Sequence, residues 1–445
     1  MNNLFQEFPS VNLQDWKDKI VKDLKGKELS VLDFHDEIEE IDFRAFYHKE
    51  ERTSPDLTPG SFPATRGSKT NDNNWQNGAF ISVNDPSKAN EKALDVLMKG
   101  ADLLYFDGEK KPQNWNKVLN GVKLEYIRSQ FNVSSTQEAL EILNIAGNTK
   151  NQIAFCFDAV STQVTPELIE AMKDSQTATY LINGFGLQRC GANTWQEIAF
   201  CLSAGHEMLL QLISAGFTID EAAAQIHFHV GIGANYFNEI AKLRALRQLW
   251  SKVIDAYHPE HDCSYNCQLT SVIGHTNKSL RDPYTNLLRQ TTETMAAAST
   301  SDAILVLPYD LYSSNGSSDL SERMALNIST LLKEESYLHH VADPTGGSYT
   351  IEQLTDTIAS RAWAYFQDID SKGGMLNDSV QSSLREAVNK TQSIRAAHYQ
   401  SGKATLIGVN KYPDPKERDA TWREIPGYLG MTAFNADKIE KTTTV

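Results

Sequence analysis

The sequence predicts a (β/α)8 barrel of the TIM type, preceded by an N-terminal extension. Eight short apolar segments alternate with eight segments of helical periodicity between about residues 79 and 338. Most of the apolar segments are nearly continuous rather than alternating, as strands buried on both faces are. Parallel strands separated by helices close into such a barrel, whose chemistry lies at the carboxyl ends of the strands. These ends carry few acid–base residues, so the sequence also indicates a degenerate active site.

The individual elements follow from the local pattern. The eight predicted strands are residues 79–83, 101–106, 124–127, 153–157, 179–182, 226–230, 265–273 and 303–307. The eight predicted helices are residues 91–98, 115–119, 138–145, 166–172, 194–213, 236–254, 283–298 and 320–332. In the helix at 236–254, an apolar residue recurs every three or four positions, and Lys242, Arg244 and Arg247 fall outside that stripe. We therefore expect this helix to lie against the sheet.

Three regions are predicted along the chain. Residues 1–63 form an arm outside the barrel and a plausible subunit contact, with an amphipathic helix at 12–26 that Asn12 caps and Gly26 ends. Residues 64–410 form the barrel together with further helices, one reaching to about residue 366 and another around 384–399. Residues 411–445 are expected to be a polar tail.

Composition limits the class of protein. A formal charge of −15 argues against nucleic acid or an anionic membrane as a partner. The chain shows no signal peptide and no apolar run long enough to span a membrane. Its five Cys lack the spacing of a disulfide framework, which is typical of a reducing compartment. We therefore expect a cytoplasmic protein.

Two groups of residues resemble metal sites. His227 and His229 are two apart, so on a strand they share one face, as metal ligands can. No third ligand is evident, and two core histidines are the simpler interpretation. The segment 258–263 is also rich in potential ligands, but it follows a helix and is typical of a polar loop. The separation of Cys263 and Cys267 suits neither a redox CxxC motif nor a zinc knuckle.

Glycine-rich turns are the remaining candidates for ligand binding. Gly231 and Gly233 follow a predicted strand, and residues 343–348 form a second glycine-rich turn. Backbone N–H groups in such turns can hold an anion at the start of the next helix. The alternative is a tight connection between strand and helix, which the absence of a longer phosphate-binding pattern favours.

Several longer segments carry a family resemblance. They are GANTWQEIAFCLSAG ending at 205, FHVGIGANYFNEIAKLRALRQLW ending at 250, DPYTNLLRQTTETMAA ending at 297, VADPTGGSYTIEQLT ending at 355 and SGKATLIGVNKY ending at 412. In this order they resemble the methylmalonyl-CoA mutases, and specifically the small, non-catalytic subunits of that family. The resemblance extends from about residue 60 to residue 412, and the block ending at 250 is its most specific part.

The resemblance implies a barrel threaded by the pantetheine arm of coenzyme A, and a C-terminal cobalamin domain. Members of the family interconvert methylmalonyl-CoA and succinyl-CoA by radical chemistry. Relative to active members, Thr270 stands where the catalytic His is expected, and Ser68 lies in the segment that replaces an aromatic one. Gln225 stands where an Arg is expected. The cobalamin domain is expected to be absent from this chain.

The resemblance therefore implies a small subunit without catalytic residues, metal ligands or a cofactor of its own. Residues with a vestigial binding role would be Thr270, Ser271, Gly231 and Gly233. Adenosylcobalamin would be bound by a homologous large subunit, the expected partner. Two alternatives stay open: a barrel that binds acyl-CoA and receives its cobalamin domain from a separate chain, and a stand-alone regulatory protein that binds acyl-CoA.

Overall fold

The fold is given by a computed structural model, which describes residues 11–51, 65–108, 114–147, 153–156, 165–175, 178–413 and 421–439. An N-terminal arm precedes the barrel. Helix α1 (Leu13–Asp23) starts at the predicted cap, where Asn12 and Asp15 form a reciprocal capping box. Strands β1 (Phe34–Asp36) and β2 (Ile41–Phe43) follow as an antiparallel hairpin.

Eight parallel strands close into a barrel, which confirms the predicted fold class. They are β3 (Gln76–Ser82), β4 (Leu103–Asp107), β5 (Arg128–Asn132), β6 (Ile153–Cys156), β7 (Ala178–Asn183), β8 (Ile226–Ile232), β9 (Gln268–Ile273) and β10 (Ala303–Val306). Each strand pairs with the next in the chain, and β10 closes the barrel by pairing with β3. The carboxyl ends of all eight strands therefore meet at one mouth.

Helices surround the barrel. They are α2 (Pro86–Leu97), α3 (Trp115–Val118), α4 (Thr136–Ala146), α5 (Pro166–Ser175), α6 (Gly184–Arg189), α7 (Thr194–Ser214), α8 (Ile219–Ala224), α9 (Tyr236–Asp255), α10 (Thr285–Ala297), α11 (Asp319–Glu334), α12 (Tyr349–Ser371) and α13 (Asp378–Ser401). Each of the eight predicted helices corresponds to one of these, with ends that differ by a few residues. The short helices α6 and α8 were not predicted.

One predicted strand is wrong. Residues Leu124–Tyr126 form a 3-10 helix, and the strand is β5 at Arg128–Asn132. Polar residues occupy most of β5, whereas the prediction followed apolar character. Arg128, Gln130 and Asn132 are accommodated because they point into the barrel lumen. There they pair with polar side chains from other strands.

Helix α9 lies against the barrel as predicted, but the three basic residues outside its apolar stripe are not solvated. Lys242, Arg244 and Arg247 are all buried, because α7, α10 and α12 cover the helix on its other sides. Each cation has a buried or nearly buried carboxylate partner: Glu197 for Lys242, Glu352 for Arg244 and Asp302 for Arg247. Pairing offsets the cost of removing these charges from water.

The arm is attached to the barrel through its hairpin. Glu39 accepts hydrogen bonds from the backbone N–H (2.9 Å) and the hydroxyl (2.7 Å) of Thr194, at the start of α7. Glu37 accepts from His398 (2.9 Å) and pairs with Lys403 (2.8 Å) at the end of α13. Helix α1 itself has no buried residue. The hairpin thus anchors the arm and leaves α1 outside.

The carboxyl-terminal residues differ from the predicted polar tail. Within residues 421–439, Tyr428, Met431 and Phe434 are buried. Asp437 is also buried and accepts hydrogen bonds from Ser279 Oγ (3.0 Å), Leu280 N (2.9 Å) and Trp422 Nε1 (2.8 Å). This segment therefore packs over the barrel on the side where the strands end. None of the described helices combines the length and the apolar character needed to span a bilayer.

Candidate functional site

The barrel mouth is the expected position of an active site in this fold. A cavity of about 20 Å³ lies there, which leaves room for about one water molecule. It is lined by Phe80, Tyr105, Asp107, Asn132, Asn183, Phe185, Arg189, His229, Val272, Leu305, Leu307 and Tyr312. The mouth is thus nearly filled by the protein's own side chains.

A hydrogen-bonded row of three side chains crosses the lumen below the mouth. His229 and Thr270 are neighbours on the adjacent strands β8 and β9, and Gln130 faces them from β5. The Gln130 amide donates to Thr270 Oγ1 (2.9 Å) and accepts from His229 Nε2 (2.8 Å). This arrangement requires the Nε2–H tautomer of His229. All three side chains are at most 2 % exposed, so each is committed to the others rather than to a substrate.

The layer nearer the amino-terminal end of the barrel is also occupied. Arg128 donates to Gln268 (3.3 Å) across the lumen, and His227 is buried. Burial, with a smaller effect of the nearby Arg128 guanidinium, lowers the pKa of His229 to about 3 and that of His227 well below its ordinary value. Both imidazoles are therefore neutral at physiological pH. A neutral, buried histidine is poorly suited to act as a general acid.

Apolar side chains and the carboxyl-terminal segment cover the mouth. Phe80, Phe185, Leu305, Leu307 and neighbouring residues form a separate apolar cluster there. The ring of Tyr428 lies directly against Gly186 in α6, where a Cβ would approach it to 2.6 Å. Glycine at position 186 therefore permits the close approach of this segment.

A more open polar cleft of about 220 Å³ adjoins the mouth. Its walls are Phe80, Ser82, Asn84, Asp107, Leu311, Tyr312, Arg423, Glu424 and Pro426. Asp107 accepts from Asn132 (3.0 Å), and Arg423 donates to the carbonyl oxygens of Ser313 and Leu311. Two of the charged groups that line this cleft, Asp107 and Arg423, are therefore already engaged in structural hydrogen bonds.

The structure brings only some of the sequence-predicted site residues together. Thr270 lies in the lumen, whereas Ser271 points out of the barrel and shares a hydrogen bond with Ser301 (2.6 Å). Gly231 is at the carboxyl end of β8, but its N–H donates to Glu197 (2.6 Å). A Cβ at Gly233 would lie 2.9 Å from Glu239. The N–H of Gly231, which could have held an anion, therefore has a carboxylate partner within the protein.

Ser68 and Gln225 lie at the opposite end of the barrel. Gln225 ends α8 immediately before β8, and its carbonyl accepts from Tyr180 N at the start of the barrel wall. Ser68 is exposed and follows Gly67, which packs against Arg247 beneath the amino-terminal ends of β9 and β10. Neither residue shares a site with Thr270.

The remaining candidate ligands have structural roles. Within the described ranges, no group of three His, Cys, Asp or Glu side chains is arranged to hold a metal ion. All five cysteines are free thiols, and only Cys263 is exposed. In the turn at 343–348, Asp343 pairs with Arg244, and Gly347 N donates to Glu352 (2.8 Å). That turn therefore connects to α9 and α12 rather than to an anion.

Sequence reasoning did not identify Arg189, Tyr312 and Arg423 as residues of the mouth. They come from α6, from the segment after β10 and from the carboxyl-terminal segment, so no local spacing relates them. It also did not identify the buried carboxylates Glu197 and Glu239 beside Gly231 and Gly233. A signal was available for Glu239, which precedes Lys242 by three positions on α9 and therefore shares a helix face with it.

Enlarging the side chain at the centre of the lumen tests whether it is filled. We expect Thr270→His to lower the free energy of unfolding by about 1–3 kcal/mol, because an imidazole must find space and a partner beside Gln130. No turnover of methylmalonyl-CoA should accompany the change. Urea unfolding of the variant and of Thr270→Ser, which keeps the hydroxyl, measures the effect. A Thr270→His protein as stable as the parent would show that the lumen has room.

Comparisons with known proteins identify relatives of the chain. A sequence profile described as methylmalonyl-CoA mutase matches residues 162–430. The chain is 33% identical to the methylmalonyl-CoA mutase small subunit of Porphyromonas gingivalis, over 92% of this chain and 71% of that protein. It is 25% identical to a methylmalonyl-CoA mutase of Cereibacter sphaeroides, over 91% and 65%. It is 29% identical to the methylmalonyl-CoA mutase large subunit of Propionibacterium freudenreichii subsp. shermanii, over 66% of this chain and 42% of that protein. The chain thus spans less than two thirds of the last two proteins.

Proposed function

Because this chain belongs to the methylmalonyl-CoA mutase family, we propose that it is the small subunit of a heteromeric methylmalonyl-CoA mutase. In this role it binds and stabilises a homologous large subunit that interconverts methylmalonyl-CoA and succinyl-CoA. The chain itself does not carry out the reaction. We further propose that the complex is cytoplasmic.

The filled barrel lumen is the observation that carries this proposal. A barrel that binds coenzyme A along its axis needs an open bore for the pantetheine arm. Here Gln130 bonds to both His229 and Thr270 across that space, and His227 and Arg128 occupy the layer nearer the amino-terminal end. Admitting the pantetheine chain of coenzyme A would require breaking these buried hydrogen bonds, each of which contributes on the order of 1 kcal/mol. This cost argues against the alternative of an acyl-CoA-binding subunit.

The cofactor belongs to the partner in this proposal. Bound to the large subunit, adenosylcobalamin would supply the radical chemistry of the isomerisation, and it would need access to the mouth of a barrel that holds the substrate. In this chain the same face is covered by Tyr428 and the rest of residues 421–439. We therefore expect the large subunit to bind adenosylcobalamin and this chain to bind none.

The arm is the proposed contact with the large subunit. Val11, Val31 and Phe34 expose 65%, 56% and 59% of their surface, and Trp16 of α1 stacks on Phe46 of the same arm (4.4 Å between ring centroids). Exposed apolar residues grouped on one extension are typical of a surface that a partner covers.

Turnover tests the catalytic part of the proposal. The purified chain, given methylmalonyl-CoA and excess adenosylcobalamin, should form no succinyl-CoA. Adding the large subunit from the same source should produce activity and a stable heteromer on size exclusion. Isothermal titration of the isolated chain with succinyl-CoA should release no binding heat. Turnover by the chain alone would refute the non-catalytic role, and binding of succinyl-CoA would favour the acyl-CoA alternative.

Deleting residues 1–26 tests the arm separately. The deletion removes α1 but leaves the hairpin that anchors the arm to α7 and α13. We expect the affinity for the large subunit to fall at least tenfold, since Val11 and Trp16 are lost from the apolar contact surface. The matched control is Lys19→Ala, which breaks only an exposed pair with Asp23 within α1. If the deleted chain binds as tightly as the intact one, α1 is not part of the contact.

A further inference from the structure

The sequence contains four Asn–Gly pairs, and spontaneous deamidation of asparagine is fastest before glycine. They are Asn77–Gly78, Asn120–Gly121, Asn183–Gly184 and Asn315–Gly316. In this reaction the backbone nitrogen of the second residue attacks the side-chain carbonyl carbon of the asparagine. Glycine favours the attack because it has no Cβ to obstruct the approach and its backbone adopts unusual dihedral angles. Since all four pairs have the same two residues, the fold decides which of them can react.

Two of the pairs are held in the barrel wall. Asn77 is 4% exposed, and its Oδ1 accepts from Ser329 Oγ (2.7 Å), while Gly78 lies between two neighbouring strands of the sheet. Asn183 ends β7, and its Oδ1 accepts from Gly186 N (3.0 Å) at the start of α6. In both pairs, ring closure requires breaking a side-chain hydrogen bond and moving strand backbone. We therefore expect both to be protected while the barrel is folded.

The third pair is exposed, but its attacking nitrogen is hydrogen-bonded. Asn315 lies on the surface between β10 and α11, and Gly316 N donates to the carbonyl of Ser313 (3.0 Å). Ser313 Oγ in turn donates to the carbonyl of Gly316 (2.6 Å). Because its N–H bond to Ser313 must break before attack, this pair should react about fivefold more slowly than a pair with a free N–H.

The pair after α3 has both reacting groups free. Asn120 and Gly121 are exposed in the turn between α3 and β5, and a Cβ at Gly121 would meet no atom within 4 Å. Within the described part of the chain, neither the Asn120 side chain nor the N–H of Gly121 has a hydrogen-bond partner. The carbonyl of Asn120 accepts from Asn90 Nδ2 (2.7 Å). This donation withdraws electron density from the peptide group and makes its N–H more acidic.

We propose that Asn120 is a site of spontaneous modification, where deamidation converts the asparagine to aspartate and isoaspartate. The Gly121 nitrogen gives up its proton and forms a bond to Asn120 Cγ, the bond from Cγ to Nδ2 breaks, and the nitrogen released takes up a proton and leaves as ammonia. Water then opens the succinimide ring at either carbonyl, so no oxidant or cofactor takes part. The isoaspartyl product has one additional methylene in the main chain and a new carboxylate. The site does not depend on the proposed subunit role.

Peptide mapping of the full chain, incubated while folded in a mildly alkaline buffer, tests the proposal. The peptide with Asn120 should show the mass change of an amide converted to an acid, and the peptide with Asn315 should follow about fivefold more slowly. Peptides with Asn77 and Asn183 should stay unchanged. A methyltransferase specific for isoaspartate should label the first peptide. If Asn120 converts no faster than the two barrel residues, or if Asn315 reacts first, the proposal is overturned.

Unfolding the same chain separates the effect of the fold from that of the sequence. In guanidinium chloride all four pairs should convert at similar rates, because the hydrogen bonds that distinguish them are lost. Asn120→Gln keeps an exposed amide but needs a larger ring to cyclise, so it should abolish the methyl label at this position and leave the rate at Asn315 unchanged. If Asn120 reacts fastest by the same factor in guanidinium chloride, the neighbouring sequence selects it, and the assignment from the structure is wrong.

Discussion

The free energy of unfolding should fall steeply below about pH 4.5, with three buried histidines as the cause. Burial lowers the pKa of His229 and of His275 to about 3, and lowers that of His227 well below its ordinary value. The unfolded chain binds these protons below about pH 6.5 and the folded chain does not. Stability is therefore complete above pH 6.5 and is lost as the pH falls. His229 and His275 each contribute about 5 kcal/mol over the full interval.

Glu197 opposes the effect of the three histidines on the free energy of unfolding over part of the pH range. Burial raises the pKa of Glu197 to about 7, so protonation of Glu197 stabilises the folded state as the pH falls from 7 towards 4.5. Below that range the carboxylate makes no further contribution, because it is protonated in the unfolded chain as well. The loss due to the histidines should therefore be steepest below pH 4.5.

Urea unfolding as a function of pH measures this effect. His229→Gln and His275→Gln should each flatten the pH dependence by about 1.4 kcal/mol per pH unit, whatever their stability at pH 7. His261→Gln, at an exposed position, serves as the control and should leave the slope unchanged. An unaltered slope in both buried variants would show that these imidazoles are already protonated or accessible in the folded protein.

Asp437→Ala should cause the second large effect, by releasing the segment that covers the barrel mouth. Asp437 accepts from Ser279 Oγ, Leu280 N and Trp422 Nε1, and also lies 3.3 Å from Arg281 Nε. Removing the carboxylate leaves several buried donors without a partner, which costs about 3–5 kcal/mol. We expect either a loss of global stability of this size or local release of residues 421–439.

Hydrogen exchange separates these two results. Local release should increase amide exchange in peptides covering residues 421–439 while the barrel strands stay protected. Global destabilisation should lower the urea midpoint instead. Asp368→Ala breaks only an exposed pair with Lys372 and should change neither measurement. If Asp437→Ala also changes neither, the carboxylate does not hold the segment in place.

The sequence predicted most of the barrel but only part of the candidate site. Seven of the eight strands were predicted close to their observed positions because their apolar runs are local signals. The strand β5 was misplaced because Arg128, Gln130 and Asn132 resemble loop residues until the rest of the barrel surrounds them. The sequence predicted Thr270 as a residue of the degenerate site. It did not predict the hydrogen bond between Thr270 and Gln130, because these residues are 140 positions apart in the chain.

The sequence by itself determined the alternation of strands and helices, the cap of α1, the placement of α9 against the barrel and the family resemblance. These features depend on residues within a few turns of one another, or on continuous motifs. Only the tertiary structure decided that the lumen is filled, that residues 421–439 cover the mouth, and that Lys242 faces two buried carboxylates. The physical reason is that burial and charge pairing depend on which distant segments meet, and spacing along one segment does not contain that information.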